Sequence, residues 1–156
     1  MDDLSLFLPD AAATDALGAE LATRLGAGDS VLLSGDLGAG KSHLTRAIIQ
    51  TRMARHGTVE DVPSPTYTLV QTYRIGGIDV FHADLYRLGD PSELIELGLD
   101  DAMAGGALCL IEWPERLDHA PDDALRISLV PEGTGRRATL TGPARLIDGI
   151  EAATHA

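Results

Sequence analysis

The sequence predicts an α/β fold in which a mixed central sheet, with a parallel core and antiparallel additions, is flanked by helices. Three observations predict it. Asp29 to Ser34 and Ala107 to Ile111 are short apolar runs suited to buried parallel strands. The first run leads into a glycine-rich segment, Gly35 to Gly40, after which apolar residues recur at helical spacing. Later runs alternate around Gly76-Gly77 and around Pro131-Glu132-Gly133, as antiparallel pairs do.

Taken in order, Leu4 to Leu8 reads as a short strand stopped by Pro9. Ala11 to Leu25 reads as a helix, with Asp10 as its N-cap and Leu17, Leu21 and Leu25 on one face. Gly26 and Gly28 separate it from the strand Asp29 to Ser34. From Ser42 to about His56, Leu44, Ala47, Ile48, Thr51 and Met53 define the next helix. Pro63 and Pro65 hold the following PSPTYT loop away from helix. Tyr67 to Ile75 and Ile78 to Ala83 then form a hairpin across Gly76-Gly77, and Asp84 ends its second strand. Pro91 to Gly98 reads as a short helix with proline at its first position, and Asp100 to Ala104 adds a turn. After the strand Ala107 to Ile111 come Glu112, Trp113 and Pro114. Leu125 to Val130 and Arg137 to Leu140 make a late antiparallel pair, and a final amphipathic helix carries Leu146, Ile147 and Ile150.

Bulk properties narrow the function classes. A chain of 156 residues suits one domain with a substantial interior. Its net charge of −12 is the wrong sign for tracking a nucleic-acid backbone, so strong direct RNA or DNA binding is disfavoured. An acidic surface suits docking on a basic protein instead. No apolar run approaches a membrane span, Met1-Asp2-Asp3 does not open a signal peptide, and the one cysteine, Cys109, lies in an apolar run. These features point to the cytoplasm.

The glycine segment carries the chemistry. Gly35-Asp36-Leu37-Gly38-Ala39-Gly40-Lys41-Ser42 fits G-x-x-x-x-G-K-[ST], a phosphate-binding loop, or P-loop. Lys41 is the one lysine in a chain whose other basic residues among Lys and Arg are all arginine. A compact ammonium enters a small anion cavity where a planar guanidinium does not. Strand, glycine loop and helix together present successive N–H groups to a phosphate at a helix N-terminus. Residues 1–156 are therefore read as a single P-loop NTPase-like domain that binds a nucleoside phosphate with Mg²⁺. The nucleotide contacts are Gly35, Asp36, Leu37, Gly38, Ala39, Gly40, Lys41, Ser42 and His43. Lys41 reaches the β- and γ-phosphates, and the Ser42 hydroxyl ligates Mg²⁺.

Such a loop needs a carboxylate at the end of a neighbouring strand. Glu112 follows the apolar run and Asp84 follows Val80-Phe81-His82-Ala83, and each is weighed against an ordinary surface acid. Thr66, Tyr67 and Thr68 stand where a γ-phosphate sensor would, although a plain polar loop explains them equally. Trp113 reads as a packing residue, Arg87 as a charge stabiliser or a salt-bridge partner, and His82 as structural.

GDLGAGKS, SPTYTLV (Ser64 to Val70), DLYRL (Asp84 to Leu88), ELGLDD (Glu96 to Asp101) and IEWPERL (Ile111 to Leu117) occur in this order. The series resembles the TsaE (YjeE) family of small bacterial P-loop ATPases, over roughly Phe7 to Leu140. The resemblance implies binding of ATP or ADP and a role in forming threonylcarbamoyladenosine next to the anticodon of tRNAs, with TsaD and TsaB as partner proteins and tRNA met only through the complex. It makes Ser42 and Glu112 the metal pair, and adds Asp84 and Thr66 to Lys41 and Glu112 as the catalytic set. It also makes Thr14 a candidate contact near the base, with Arg136 or Arg137 a further one. His43 stands where many members carry a second threonine.

The leading expectation is an ATPase, slow alone because no water-positioning base or arginine finger is evident, and activated by its partners. A small-molecule kinase is the alternative, although no arginine-rich lid follows Glu112. A guanine-reading N-K-x-D motif cannot exist when Lys41 is the only lysine.

Overall fold

Seven strands form one sheet in the order β1-β7-β6-β2-β5-β4-β3. The computed structural model describes residues 2–57, 59–65, 68–90, 92–117 and 119–154, residues 94 and 95 by backbone alone. The strands are β1 (Asp2–Leu8), β2 (Ser30–Ser34), β3 (Val70–Ile75), β4 (Ile78–Asp84), β5 (Leu108–Glu112), β6 (Leu125–Glu132) and β7 (Gly135–Gly142). The helices are α1 (Ala11–Arg24), α2 (Lys41–His56), α3 (Glu93–Glu96), α4 (Leu99–Ala104), α5 (Ala144–Ile147) and α6 (Ile150–Thr154). β6, β2, β5 and β4 run parallel, while β7 and β1 extend one edge antiparallel and β3 the other. A mixed α/β sheet with a parallel core is what the sequence predicts.

The period-two alternation of the central strands divides the interior. Val31, Leu33, Leu108 and Leu110 pack with Leu17 and Leu21 of α1 and Leu44 and Ile48 of α2. Leu32, Cys109 and Ile111 face the other way, with Leu99 and Ala102 of α4. α1 begins at Asp10, whose side chain accepts from Ala13 N–H at 2.9 Å, as its N-cap role requires. The α1 carbonyls at the far end are closed by Arg52 of α2, which donates from Nη1 to the Leu25 carbonyl at 2.8 Å.

Several boundaries differ from expectation. β3 begins at Val70, because Leu69 takes a left-handed conformation (φ 67°) and its carbonyl accepts from Asp84 N–H at 2.8 Å. Pro131 lies inside β6 and the hairpin turns at Gly133-Thr134, with Gly133 at φ 58°. The proline is tolerated because β2 pairs β6 only as far as Ser34↔Ser128, so β6 has a free edge beyond Ser128. The single C-terminal helix is two short ones, broken at Gly149 (φ 79°). The short helix expected from Pro91 is a single turn over Glu93–Glu96, and Pro91 itself lies outside the described residues. No helix among the described residues is long and apolar enough to cross a membrane.

Candidate active site

The loop after β2 is shaped by glycines whose backbone no other residue adopts easily. Gly38 and Gly40 have φ 80° and 104°. A Cβ on Gly35 would stand 2.6 Å from the Leu129 carbonyl oxygen of β6, and one on Gly40 would overlap the Arg136 guanidinium. α2 then starts at Lys41 with Gly40 as its N-cap and no side chain bonded there. Its first N–H groups therefore point into the loop without a side-chain cap, at the positive end of a 16-residue helix.

Lys41 is buried and folded back on its own loop, donating from Nζ to the Gly35 carbonyl and, at 3.0 Å, to the Asp36 carbonyl. Its Nζ also lies 4.1 Å from the centroid of the Trp113 ring, a cation–π contact. Trp113 in turn stacks on Tyr86, with ring centroids 4.9 Å apart. Burial lowers the Lys41 pKa from its ordinary value, opposed by Glu112 and Asp84.

The acids arrive from neighbouring strands. β4 pairs with β5 so that Asp84 stands beside Glu112, at the carboxyl ends of both. Alternation puts Val80, His82 and Asp84 on one face of β4, and Leu108, Leu110 and Glu112 on one face of β5. Val80, Leu108 and Leu110 belong to the core shared with α2, so this is the face toward that helix. Ser42 Oγ donates to Glu112 Oε1 at 2.9 Å. His82 Nε2 lies 2.7 Å from the other oxygen, Oε2. Asp84 is buried, and burial pushes its pKa up, opposed by the Tyr86 N–H that its Oδ1 accepts at 3.1 Å.

Leu37 to His43, Ser64, Asp84, Glu112, Trp113 and Arg136 line one cavity of about 310 Å³. Thr14 lines a neighbouring one of about 120 Å³ together with Asp10, His43 and Arg136. His43 and Arg136 thus stand at the junction of the two, and His43 Nε2 is 2.7 Å from Asp15 Oδ1 of α1. Gly35 and Asp36 act from behind the cavity through their carbonyls. Arg137, the other arginine considered, instead pairs with Glu132 at 2.7 Å. Thr66 and Tyr67 lie outside the described residues. A larger cavity of about 740 Å³, between β1 and α6, contains none of the predicted site residues.

The donor set suits a hard divalent cation, which takes oxygen ligands and, when it is Mg²⁺, few of them from protein. Ser42 Oγ and Glu112 Oε1, 2.9 Å apart, are close enough that both would reach one such cation.

Residues 8–139 match the family model described as threonylcarbamoyl adenosine biosynthesis protein TsaE. The chain belongs to the TsaE family. A relative from Haemophilus influenzae, described as tRNA threonylcarbamoyladenosine biosynthesis protein TsaE, is 41% identical over 121 residues, 74% of each chain. A Rickettsia felis TsaE is 43% identical across 73% of this chain and 64% of its own. A Nostoc TsaE is 36% identical across 85% and 81%. The crystal structure of a Bacillus YdiB protein superposes with a TM-score of 0.73, covering 99% of this chain and 95% of that one at 24% identity, which supports the fold. The TsaE match spans the glycine loop, both strand-end acids and Arg136. His82, Trp113 and Ser64 escaped sequence reasoning as site residues. Counting back two places from Asp84 along a strand would have put His82 on the site face.

Proposed function

We propose that this TsaE-family chain is a Mg²⁺-dependent ATPase that works with TsaD and TsaB in forming threonylcarbamoyladenosine next to the anticodon of tRNAs. The observation that carries the ATPase reading is the convergence of three parts in one cavity. They are a helix N-terminus without a side-chain cap, a buried lysine, and a serine hydroxyl facing a buried glutamate.

In this reading the N–H groups from Gly38 to Ser42 wrap the phosphates of ATP. Lys41 exchanges two carbonyl acceptors for phosphate oxygens, a change from neutral to charged acceptors that strengthens its bonds. Arg136, against Gly40, adds a second cation beside the loop, and Thr14 with His43 lines the space leading away from it. Ser42 and Glu112 would hold Mg²⁺, which when bound would neutralise charge on the phosphates. Asp84 supplies a second acid, and its raised pKa moves it toward the range of a general base. The −12 charge of the chain supports meeting tRNA through basic partner surfaces rather than directly.

Phosphate release by the purified chain, alone and with TsaD and TsaB, tests the reading. Slow release alone and faster release in the complex are expected, by up to about 10³–10⁵ if a partner supplies a missing charge. Equal rates would remove partner activation, and failure to bind ATP at all would remove the ATPase reading.

A further inference from the structure

His82 is among the most deeply buried polar residues of the chain and has no part in the mechanism above. It is 1% exposed and Glu112 is 2% exposed, so neither can exchange its partner for bulk water. A buried carboxylate is tolerated when both oxygens accept hydrogen bonds, and here Oε1 accepts from Ser42 and Oε2 faces His82. An ionised carboxylate only accepts, so the His82 proton in this contact belongs on Nε2. The other ring nitrogen, Nδ1, is buried and has no hydrogen-bond partner among the described residues. The polar work of this ring is therefore directed at one atom, Glu112 Oε2.

We propose that His82 is a positioning residue whose Nε2–H fixes the Glu112 carboxylate so that Oε1 is presented, with Ser42 Oγ, to a divalent cation. Without it a glutamate side chain has several rotatable bonds, and either oxygen can turn toward Ser42. With it, the carboxylate plane is set before a cation arrives. Hydrogen-bonding partners of this kind tune metal affinity by about 10–100-fold. The inference rests on the proposed Mg²⁺-nucleotide reading of the site.

The test is ADP binding to the full chain by calorimetry, in EDTA and across a MgCl₂ series. The unsubstituted chain is expected to bind ADP more tightly with Mg²⁺; no gain there would overturn the Mg²⁺ reading itself, before any variant is compared. His82→Leu is expected to raise the half-effective Mg²⁺ concentration about 10–100-fold while leaving the affinity in EDTA unchanged. His82→Gln, whose amide N–H reaches the place of Nε2, is expected to recover most of that loss. A normal Mg²⁺ midpoint in His82→Leu overturns the proposal, as does an equal loss in EDTA, which would mark a structural role alone. Should the leucine variant not fold, imidazole ¹⁵N NMR of the unsubstituted chain decides. A proton on Nε2 is expected, and an Nε2 without a proton overturns the proposal.

Discussion

Gly18→Ala should destabilise this protein even though it exchanges a poor helix former for the best one. Gly18 lies inside α1, where alanine is favoured over glycine by about 1 kcal/mol. A Cβ at this position would stand 2.5 Å from the Ala47 Cβ of α2, with backbone atoms of Ala47 and Ile48 at 3.3 Å. Carbon atoms rest at about 3.5–4.0 Å, so the helices must part by roughly 1 Å. Neither alanine has a rotamer through which to retreat. Overpacking of this kind costs about 1–3 kcal/mol, and against the propensity gain the net is a loss of up to about 2 kcal/mol. For a chain this size that lowers Tm by up to about 8 °C. Urea unfolding should show a lower midpoint at unchanged slope. Because α2 carries Lys41 and Ser42 in its first turn, nucleotide turnover should fall as well. Adding Ala47→Gly removes the collision and cancels the propensity term, so the double variant should return near the starting stability. The coupling between the two positions should be about 1–3 kcal/mol. A single variant more stable by about 1 kcal/mol, with no coupling to Ala47→Gly, would refute the close helix contact.

Three further outcomes follow from the site. Lys41→Met should abolish the thermal stabilisation that saturating ADP confers, about 2.7 kcal/mol at a hundredfold excess over Kd, and a retained thermal shift would show that phosphate binding does not need the lysine. Glu112→Ala should impair Mg²⁺-dependent phosphate release more than nucleotide binding; normal turnover would move the metal role to Asp84. Asp84→Asn should reduce turnover while stabilising the nucleotide-free protein at neutral pH. Burial raises the folded-state pKa of Asp84 above its ordinary 3.8, so the stability it contributes is full below that value and is lost as pH rises through the folded one. The advantage of the asparagine variant in denaturant should therefore grow with pH across this window, and a pH-independent difference would contradict the buried, raised carboxyl.

Much of the fold was legible because local signals agreed. The segment from Ser30 to His56 carried an apolar strand, three loop glycines and a helical period, and each constrained its neighbours. Gly76-Gly77 marked the β3–β4 hairpin because both residues adopt positive φ. Pro131 misled, since proline signals a turn unless a free strand edge makes its missing N–H harmless, and a free edge depends on where β2 stops. The C-terminal helix failed similarly: Leu146, Ile147 and Ile150 keep helical spacing across a break that Gly149 makes with positive φ.

The sequence by itself determined the glycine loop between β2 and α2, its lysine and serine, and the two strand-end acids, because each is fixed by contiguous spacing. Only the tertiary structure decided that Asp84 and Glu112 share a register, that Arg136 of β7 covers Gly40, and that His82 Nε2 meets the Glu112 carboxylate. Those contacts join residues 28 to 96 positions apart. Strand order and strand parity bring them together, and neither is written in any short stretch of chain.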